Sequence, residues 1–350
     1  MIPCFEVNTR TRRYPVYVGQ NILSETASCL SQSPERVFVI TDNIVSELYL
    51  APLLHSFEAL GIDHTTLTLA AGEESKTLDT AAMLINSLLE SNASRSDVVL
   101  ALGGGVVGDI AGFAASVVKR GIRLAQVPTS LLAQVDSALG GKTAVNHSLG
   151  KNLIGTFYQP HLVVADVRTL RTLPGSDFSD GLAEVVKYAA IMDSQLMTFL
   201  LENQEEVLRR NPEILETIVK RCLQLKAHIV EKDETDEGQI RQVLNFGHTV
   251  GHAIETCSEH EVSHGQAVSI GMVEEASYAI RMGHLNYDSL ELLISVLDTF
   301  GLPTEVPSNI DKRELNSVMK HDKKVQQGHI VIPVLVELGR TELKVIDSIY

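Results

Sequence analysis

Two histidines four residues apart, His248 and His252, lie in Asn245-Phe-Gly-His-Thr-Val-Gly-His-Ala-Ile-Glu255, a stretch with helical periodicity. One face of a helix carries both, and the spacing suits two ligands of a single metal ion. Glu255 and His264 lie further along, the latter in Val262-Ser-His-Gly-Gln266. Upstream, Glu184 interrupts an apolar helical run, Asp180-Gly-Leu-Ala-Glu-Val-Val-Lys-Tyr188. A carboxylate there needs a partner, because an unpaired buried charge is costly. A lone histidine on an apolar face is usually a satisfied core residue, whereas several histidines together with an inward carboxylate point to a metal site. Spacing selects the His248/His252 pair and does not exclude His264.

A second kind of chemistry is suggested by glycines. Val98-Val-Leu-Ala-Leu-Gly-Gly-Gly-Val-Val-Gly-Asp-Ile110 puts Gly103, Gly104, Gly105 and Gly108 between a strand and a helix. Such a turn lets backbone amides approach a pyrophosphate, and the helix N-terminus favours its charge. Asp109, next to that end, serves a hydroxyl or caps the helix. Gly72-Glu-Glu-Ser-Lys76 and Val127-Pro-Thr-Ser130 also follow strands, and ligands of parallel sheets bind at strand carboxyl ends. Gly140-Gly-Lys-Thr143 is not a P-loop, since the earlier glycine of that motif is absent.

The formal charge is −15, which argues against nucleic acid as a partner. An anionic substrate would be repelled by the protein as a whole, so a local group of cations must overcome that. Lys142, Lys151 beside Asn152, Lys187, Lys226, Arg241 and the pair Lys323/Lys324 sit near glycine-rich or polar segments. Each singly reads as a solvated surface cation; as a set they form the anion pocket that the charge requires. Lys187 shares a face with Glu184, and Arg241 lies two helical turns before His248 if the helix reaches that far.

The elements that must position these groups fall into two textures. Up to about Leu173, apolar strands (Arg36–Ile40, His64–Leu69, Asp97–Leu102, Arg123–Val127, Leu162–Val167) alternate with helical stretches (to about Leu60, Thr77–Ser91, Ile110–Arg120). That pattern predicts an α/β domain with a Rossmann-like parallel sheet. Beyond Pro174-Gly175, helical periodicity dominates in Gly181–Leu201, Pro212–Val230, Phe246–Ser258, Gln266–Met282 and Leu290–Phe300, with one strand at His329–Leu338. Two domains are expected, residues 1–174 and a mostly α-helical 175–350, a division the 350-residue length allows. No apolar run reaches the roughly 18–20 residues of a membrane span, and no secretory signal is visible. Cys4, Cys29, Cys222 and Cys257 are scattered, which fits reduced thiols in the cytoplasm.

Taken together the motifs resemble the 3-dehydroquinate synthase family. The resemblance rests on Gly72–Lys76, Gly103–Asp109, Ala133–Asn146, Gly150–Pro160, Gly181–Tyr188, Leu244–Glu255 and His264-Gly-Gln266, which occur in family order over nearly the whole chain. It implies an active site in the cleft between the two domains and a divalent metal, zinc or else cobalt, on Glu184, His248 and His264. His252 then moves from the metal to the substrate. The resemblance further implies NAD on Asp42, Glu73, Lys76, Gly104, Gly105, Asp109, Thr129, Ser130, Lys142, Lys151 and the turn Thr169-Leu170-Arg171-Thr172. Ser130 stands where the family commonly has a second threonine, and it keeps the hydroxyl. The implied substrate, 3-deoxy-D-arabino-heptulosonate 7-phosphate, meets Asp136, Lys142, Asn152, Lys187, Lys226, Arg241, Asn245, His252 and one of Lys323/Lys324. Arg120 is implied to reach a partner subunit's site, hence a homodimer.

The implied reaction is a transient oxidation by NAD, phosphate elimination, re-reduction, ring opening and an intramolecular aldol closure to 3-dehydroquinate. Alternatives are another sugar-phosphate cyclase, such as an inosose or valiolone synthase, and a metal-dependent polyol dehydrogenase. A non-catalytic NAD-binding protein is a third.

Overall fold

The computed structural model describes residues 1–30, 34–259, 261–320, 325–326 and 329–350. Lys323 and Lys324, both expected near the substrate, lie outside the described residues. The chain divides into two compact units, Met1–Leu173 with Leu215–Thr235, and Pro174–Ile214 with Asp236–Tyr350.

The first unit contains β1 (Phe5–Asn8), β2 (Arg13–Gly19), β3 (Arg36–Asp42), β4 (Asp63–Leu69), β5 (Val98–Gly103), β6 (Arg123–Pro128), β7 (Lys142–His147), β8 (Gly150–Phe157) and β9 (Leu162–Asp166). Seven of them hydrogen-bond in the order β1-β2-β9-β6-β5-β3-β4. The β1–β2 pair is antiparallel and the other neighbours are parallel. Both faces are covered, which is why the strands read as continuous apolar runs rather than alternating ones. Phe38 and Ile40 of β3 pack with Leu84, Val107 and Ala111. Val37 and Val39 point the other way, into a core with Leu53, Phe57 and Leu100.

The glycine-rich helix begins at Gly105, earlier than the periodicity of Ile110–Arg120 predicts, and ends at Val117. Its end is set by Lys119 and Arg120, whose φ values of 51° and 61° leave the helical region. β3, β4, β5, β6 and β9 match the expected strands; the β1–β2 hairpin and the antiparallel β7–β8 hairpin have no counterpart in the sequence pattern. β8 has a mostly exposed pattern, and without an apolar run it gives no strand signal.

In the second unit, helices span Gly175–Met192, Ser194–Glu202, Gln204–Leu208, His248–Cys257, His264–Arg281, Tyr287–Thr299 and Lys312–Lys320. The single helix expected over Gly181–Leu201 is two, broken at Asp193, whose side chain accepts from Leu196 N at 3.1 Å. β10 (Val325–Gln326), β11 (His329–Glu337) and β12 (Arg340–Ile346) form an antiparallel sheet.

A division at residue 174 misses one feature: Leu215–Thr235, most of the helix Pro212–Lys232, clusters with the first unit. The cause is specific pairing. Glu231 accepts from Asn8 N at 2.7 Å, Glu234 accepts from Thr11 N at 3.1 Å, and Lys226 pairs with Asp136. Among the described residues no helix is long and apolar enough to cross a membrane.

Candidate active site

In the first unit the sheet order itself defines a binding edge. From β3 the chain goes outward to β4, then returns to β5 on the opposite side of β3. The carboxyl ends of β3 and β5 therefore form a topological switch point, the place where open α/β sheets bind nucleotides. Four adjacent strands deliver expected residues to this edge: β6 leads to Thr129 and Ser130, β5 to Gly104 and Gly105, β3 ends at Asp42, and β4 leads to Glu73 and Lys76. β9, two places from β5, leads into Thr169–Thr172.

Local chemistry fixes each of these. Asp42 accepts from Ile44 N at 2.9 Å and Val45 N at 2.8 Å. Lys76, buried, donates to Asp109 at 2.5 Å. Burial pushes the Asp109 carboxyl up, and the Lys76 ammonium opposes it. Glu73 accepts from Asn146 at 2.7 Å, and Thr129 N donates to the Gly103 carbonyl at 3.0 Å. Tyr49 hydroxyl donates to the Thr169 carbonyl at 3.0 Å and contacts Thr172. The glycines divide by role. A Cβ on Gly108 would lie 2.9 Å from Gln126 Oε1, so Gly108 serves packing, while Cβ atoms on Gly104 and Gly105 would approach hydroxyls of Ser130 and Ser137 at 3.4 and 3.2 Å.

Of the expected substrate residues in this unit, Asp136 and Lys226 come together, with Lys226 Nζ 2.9 Å from the carboxylate and 2.7 Å from the carbonyl of Asp136. Lys142, Lys151 and Asn152 lie on the β7–β8 hairpin with exposed side chains, and Arg120 is exposed at its kink.

The second unit assembles the histidines. A Cβ on Gly271 would lie 1.9 Å from the Gly247 carbonyl oxygen, so only glycine allows the helices His248–Cys257 and His264–Arg281 to approach this closely. A Cβ on Gly265 would lie 2.3 Å from Asp180 Cα, which seats the start of the second helix against Gly175–Met192. Ser263 caps that start and donates to Asp180 at 2.6 Å. These contacts bring His264, adjacent to both, toward Glu184.

The result is a compact cluster. His248 Nε2 lies 3.3 Å and His264 Nε2 3.5 Å from Glu184 Oε1, while Lys187 contacts the other carboxylate oxygen. Burial works against the charged form of Glu184, but Lys187 and His248 overcome it and hold its carboxyl well below the usual carboxylate range. Burial pushes the His248 imidazole down. For His264 burial is outweighed by Glu184 and Glu255, which raise it to about 10. The rings of His248 and His252 are 5.4 Å apart and edge-on.

The ligand atoms of Glu184, His248 and His264 all lie within 4.8 Å of one another, and so do those of His252, Glu255 and His264. The first set fits a divalent cation. His248 Nδ1 faces the Phe246 carbonyl at 3.1 Å, which can only accept, so Nε2 carries the lone pair. That lone pair faces a carboxylate oxygen of Glu184, which is buried and receives no hydrogen bond of good geometry. Two acceptors facing each other, one of them on a carboxylate only 1% exposed, call for a cation between them.

Arg241 is buried, but it lies on a separate turn, Ile240–Asn245. The helix does not reach back to Arg241, because Phe246 and Gly247 at φ 78° separate it from that turn. Asn245 ends that turn, half-buried.

Glu275 escaped sequence reasoning. It is 1% exposed and accepts from Gly247 N at 2.9 Å, Thr249 N at 3.2 Å and Val250 N at 3.4 Å, anchoring the start of the histidine-bearing helix. The available signal was the acid pair Glu274-Glu275 within the apolar run Val268–Ala276.

Fold and cluster define a class: a chain with a nucleotide-binding type of sheet in one unit and a carboxylate–histidine cluster able to hold a metal ion in the other. Residues 66–180 match the 3-dehydroquinate synthase N-terminal family and residues 181–325 the 3-dehydroquinate synthase C-terminal family. A 3-dehydroquinate synthase of Dehalococcoides mccartyi is 45% identical, over 95% of this chain and 93% of its own. Among solved structures, a 2-deoxy-scyllo-inosose synthase complexed with carbaglucose-6-phosphate, NAD+ and Co2+ is 28% identical with a TM-score of 0.89, covering 98% of this chain and 96% of its own. A 2-epi-5-epi-valiolone synthase of Streptomyces hygroscopicus, with NAD+ and Zn2+ bound, is 26% identical with a TM-score of 0.86, covering 98% and 94%. The chain belongs to the 3-dehydroquinate synthase family, and it is an enzyme.

Proposed function

We propose that this enzyme converts 3-deoxy-D-arabino-heptulosonate 7-phosphate to 3-dehydroquinate and phosphate, using NAD and a divalent cation. The observation that carries the site assignment is the meeting of Glu184, His248 and His264 with ligand atoms within 4.8 Å. These three would hold the cation, and two structural neighbours carry Co2+ or Zn2+ together with NAD+. Bound there, the cation supplies Lewis acidity to substrate hydroxyls and NAD supplies reversible hydride acceptance.

The chain's own residues bind and orient. Asp42, Glu73, Lys76, Gly104, Gly105, Asp109, Thr129, Ser130, Lys142, Lys151 and the turn Thr169–Thr172 hold NAD, with Lys76 keeping Asp109 in place. This makes residues 1–174 an NAD-binding domain and 175–350 a metal- and substrate-binding one, with Lys226 lent to the substrate from the segment that clusters with the first unit. Lys187 neutralises Glu184. Asp136, Lys142, Asn152, Lys226, Arg241, Asn245, His252 and one of Lys323/Lys324 orient phosphate, hydroxyls and carboxylate, and the cations among them stabilise developing negative charge. Arg120 serves a partner's site in a cytoplasmic homodimer.

Supplying the heptulosonate phosphate, NAD and zinc should release phosphate with no net gain in NADH absorbance. Stoichiometric NADH would indicate a polyol dehydrogenase instead, and no phosphate from loaded protein would refute the proposal. Glucose 6-phosphate, which lacks a carboxylate, should not be turned over.

A further inference from the structure

Glu255 has no part in the reading above. It lies on the helix His248–Cys257 seven residues after His248 and three after His252, so the three share one stripe. The residue is 8% exposed. Its Oε1 stands 3.6 Å from His264 Nδ1, while Nε2 of the same ring faces Glu184. His264 is thus held between two carboxylates, one at each ring nitrogen.

A neutral imidazole has one N–H and one lone pair, and the partner of one nitrogen decides which is which. For His248 that partner is the Phe246 carbonyl. For His264 the corresponding group is Glu255. We propose that Glu255 is a positioning residue for the metal site: it takes the Nδ1–H of His264, so that Nε2 presents its lone pair on the Glu184 side. This rests on the ligand set Glu184, His248 and His264. At 3.6 Å the contact is electrostatic rather than a formed hydrogen bond. A carboxylate behind a metal-bound histidine fixes the tautomer and orientation of the ring and raises its basicity.

The competing geometry is explicit, because His252, Glu255 and His264 also bring ligand atoms within 4.8 Å. In that arrangement Glu255 would touch the metal itself. The lone pair of His248, fixed toward Glu184, favours the first set, and His264 cannot give a lone pair to both sides while neutral.

The test compares Glu255→Ala, Glu255→Gln and Glu184→Ala in the full chain. Zinc affinity is read by chelator competition, and the ligand field by the visible absorption of the Co2+-loaded protein. Glu255→Ala should weaken zinc roughly 10–100-fold while the cobalt bands keep their positions and intensities at saturation. Glu255→Gln, whose amide oxygen still accepts the Nδ1–H, should recover part of that loss and covers the case in which the alanine variant folds poorly. Zinc affinity of a folded Glu255→Ala within twofold of the parent overturns the proposal. So does a cobalt spectrum changed by Glu255→Gln with Glu184→Ala still holding metal, which would make Glu255 a ligand. None of these readings requires turnover, so a failure of the proposed reaction shows up separately, in the phosphate assay.

Discussion

Replacing Glu275 should damage the histidine-bearing helix from a distance. The carboxylate receives two good hydrogen bonds, from Gly247 N at 2.9 Å and Thr249 N at 3.2 Å, and a weak one from Val250 N at 3.4 Å. These donors lie at the N-cap and in the first turn of His248–Cys257, where no intrahelical acceptor exists and the helix dipole favours an anion. In Glu275→Ala they are left without an acceptor in a buried site. Bonds to a charged group are worth about 1.5–3 kcal/mol each. Stranding two such donors in a buried site sets the loss at about 3–5 kcal/mol, the range for removing one member of a buried charged pair. Glu275→Gln keeps one acceptor oxygen but turns an amide donor toward a donor, and should lose roughly half as much.

Differential scanning fluorimetry reads the difference. For a cooperative unit of 150–250 residues, 1 kcal/mol corresponds to about 2–4 °C. Alanine should then lower the melting temperature of the second unit by roughly 6–20 °C, and glutamine by roughly half of that. Metal affinity should fall in the same order, because His248 is the first residue of the anchored helix. An alanine variant melting within about 2 °C of the parent would refute the reasoning, as would glutamine proving worse than alanine.

Other perturbations follow from the same contacts. Glu184→Ala and His264→Ala should lose metal and phosphate release together, whereas His252→Ala should retain metal and lose turnover; metal content after dialysis decides, and the reverse pattern for His252 and His264 would restore the pairing that spacing alone selects. Lys76→Met strands the half-buried Asp109 and should cost about 1–3 kcal/mol as well as NAD affinity, while Lys76→Met with Asp109→Asn should regain stability but not NAD binding; a single variant as stable as the parent contradicts this. His161 accepts from Leu124 N at 3.1 Å, and burial with Arg12 and Arg123 nearby lowers it from 6.5 to about 3. The folded state thus refuses a proton that the unfolded chain takes below pH 6.5, so this contribution is intact above 6.5 and fades as the pH falls toward 3, by at most about 1.4 kcal/mol per pH unit. His161→Asn should flatten the melting temperature between pH 6.5 and 4; unchanged slope would count against it.

What the sequence discloses and what it hides follow from how local each cause is. β3 and β5 could be read because burial on both faces leaves only apolar residues in them. The Glu184–Lys187 pair could be read because three residues along a helix return to the same face. Arg241 could not be placed, since the break at Gly247 depends on a positive φ and on the close approach of Gly271. Glu274 and Glu275 are neighbours of the same type, yet Glu274 pairs with Lys312 at 2.9 Å and Glu275 serves three backbone amides. Only the tertiary fold separates them. The expected metal ligands show the same divide more sharply. Local periodicity presents His248 and His252 as equivalent, and nothing within their helix distinguishes them. The difference comes from elsewhere: the Phe246 carbonyl turns one ring nitrogen of His248 toward Glu184, and the fit of Gly265 against Asp180 brings His264 to the same oxygen. A sequence pattern therefore names the types of ligand, while the membership of the set is decided by which ring nitrogens a distant helix allows to converge.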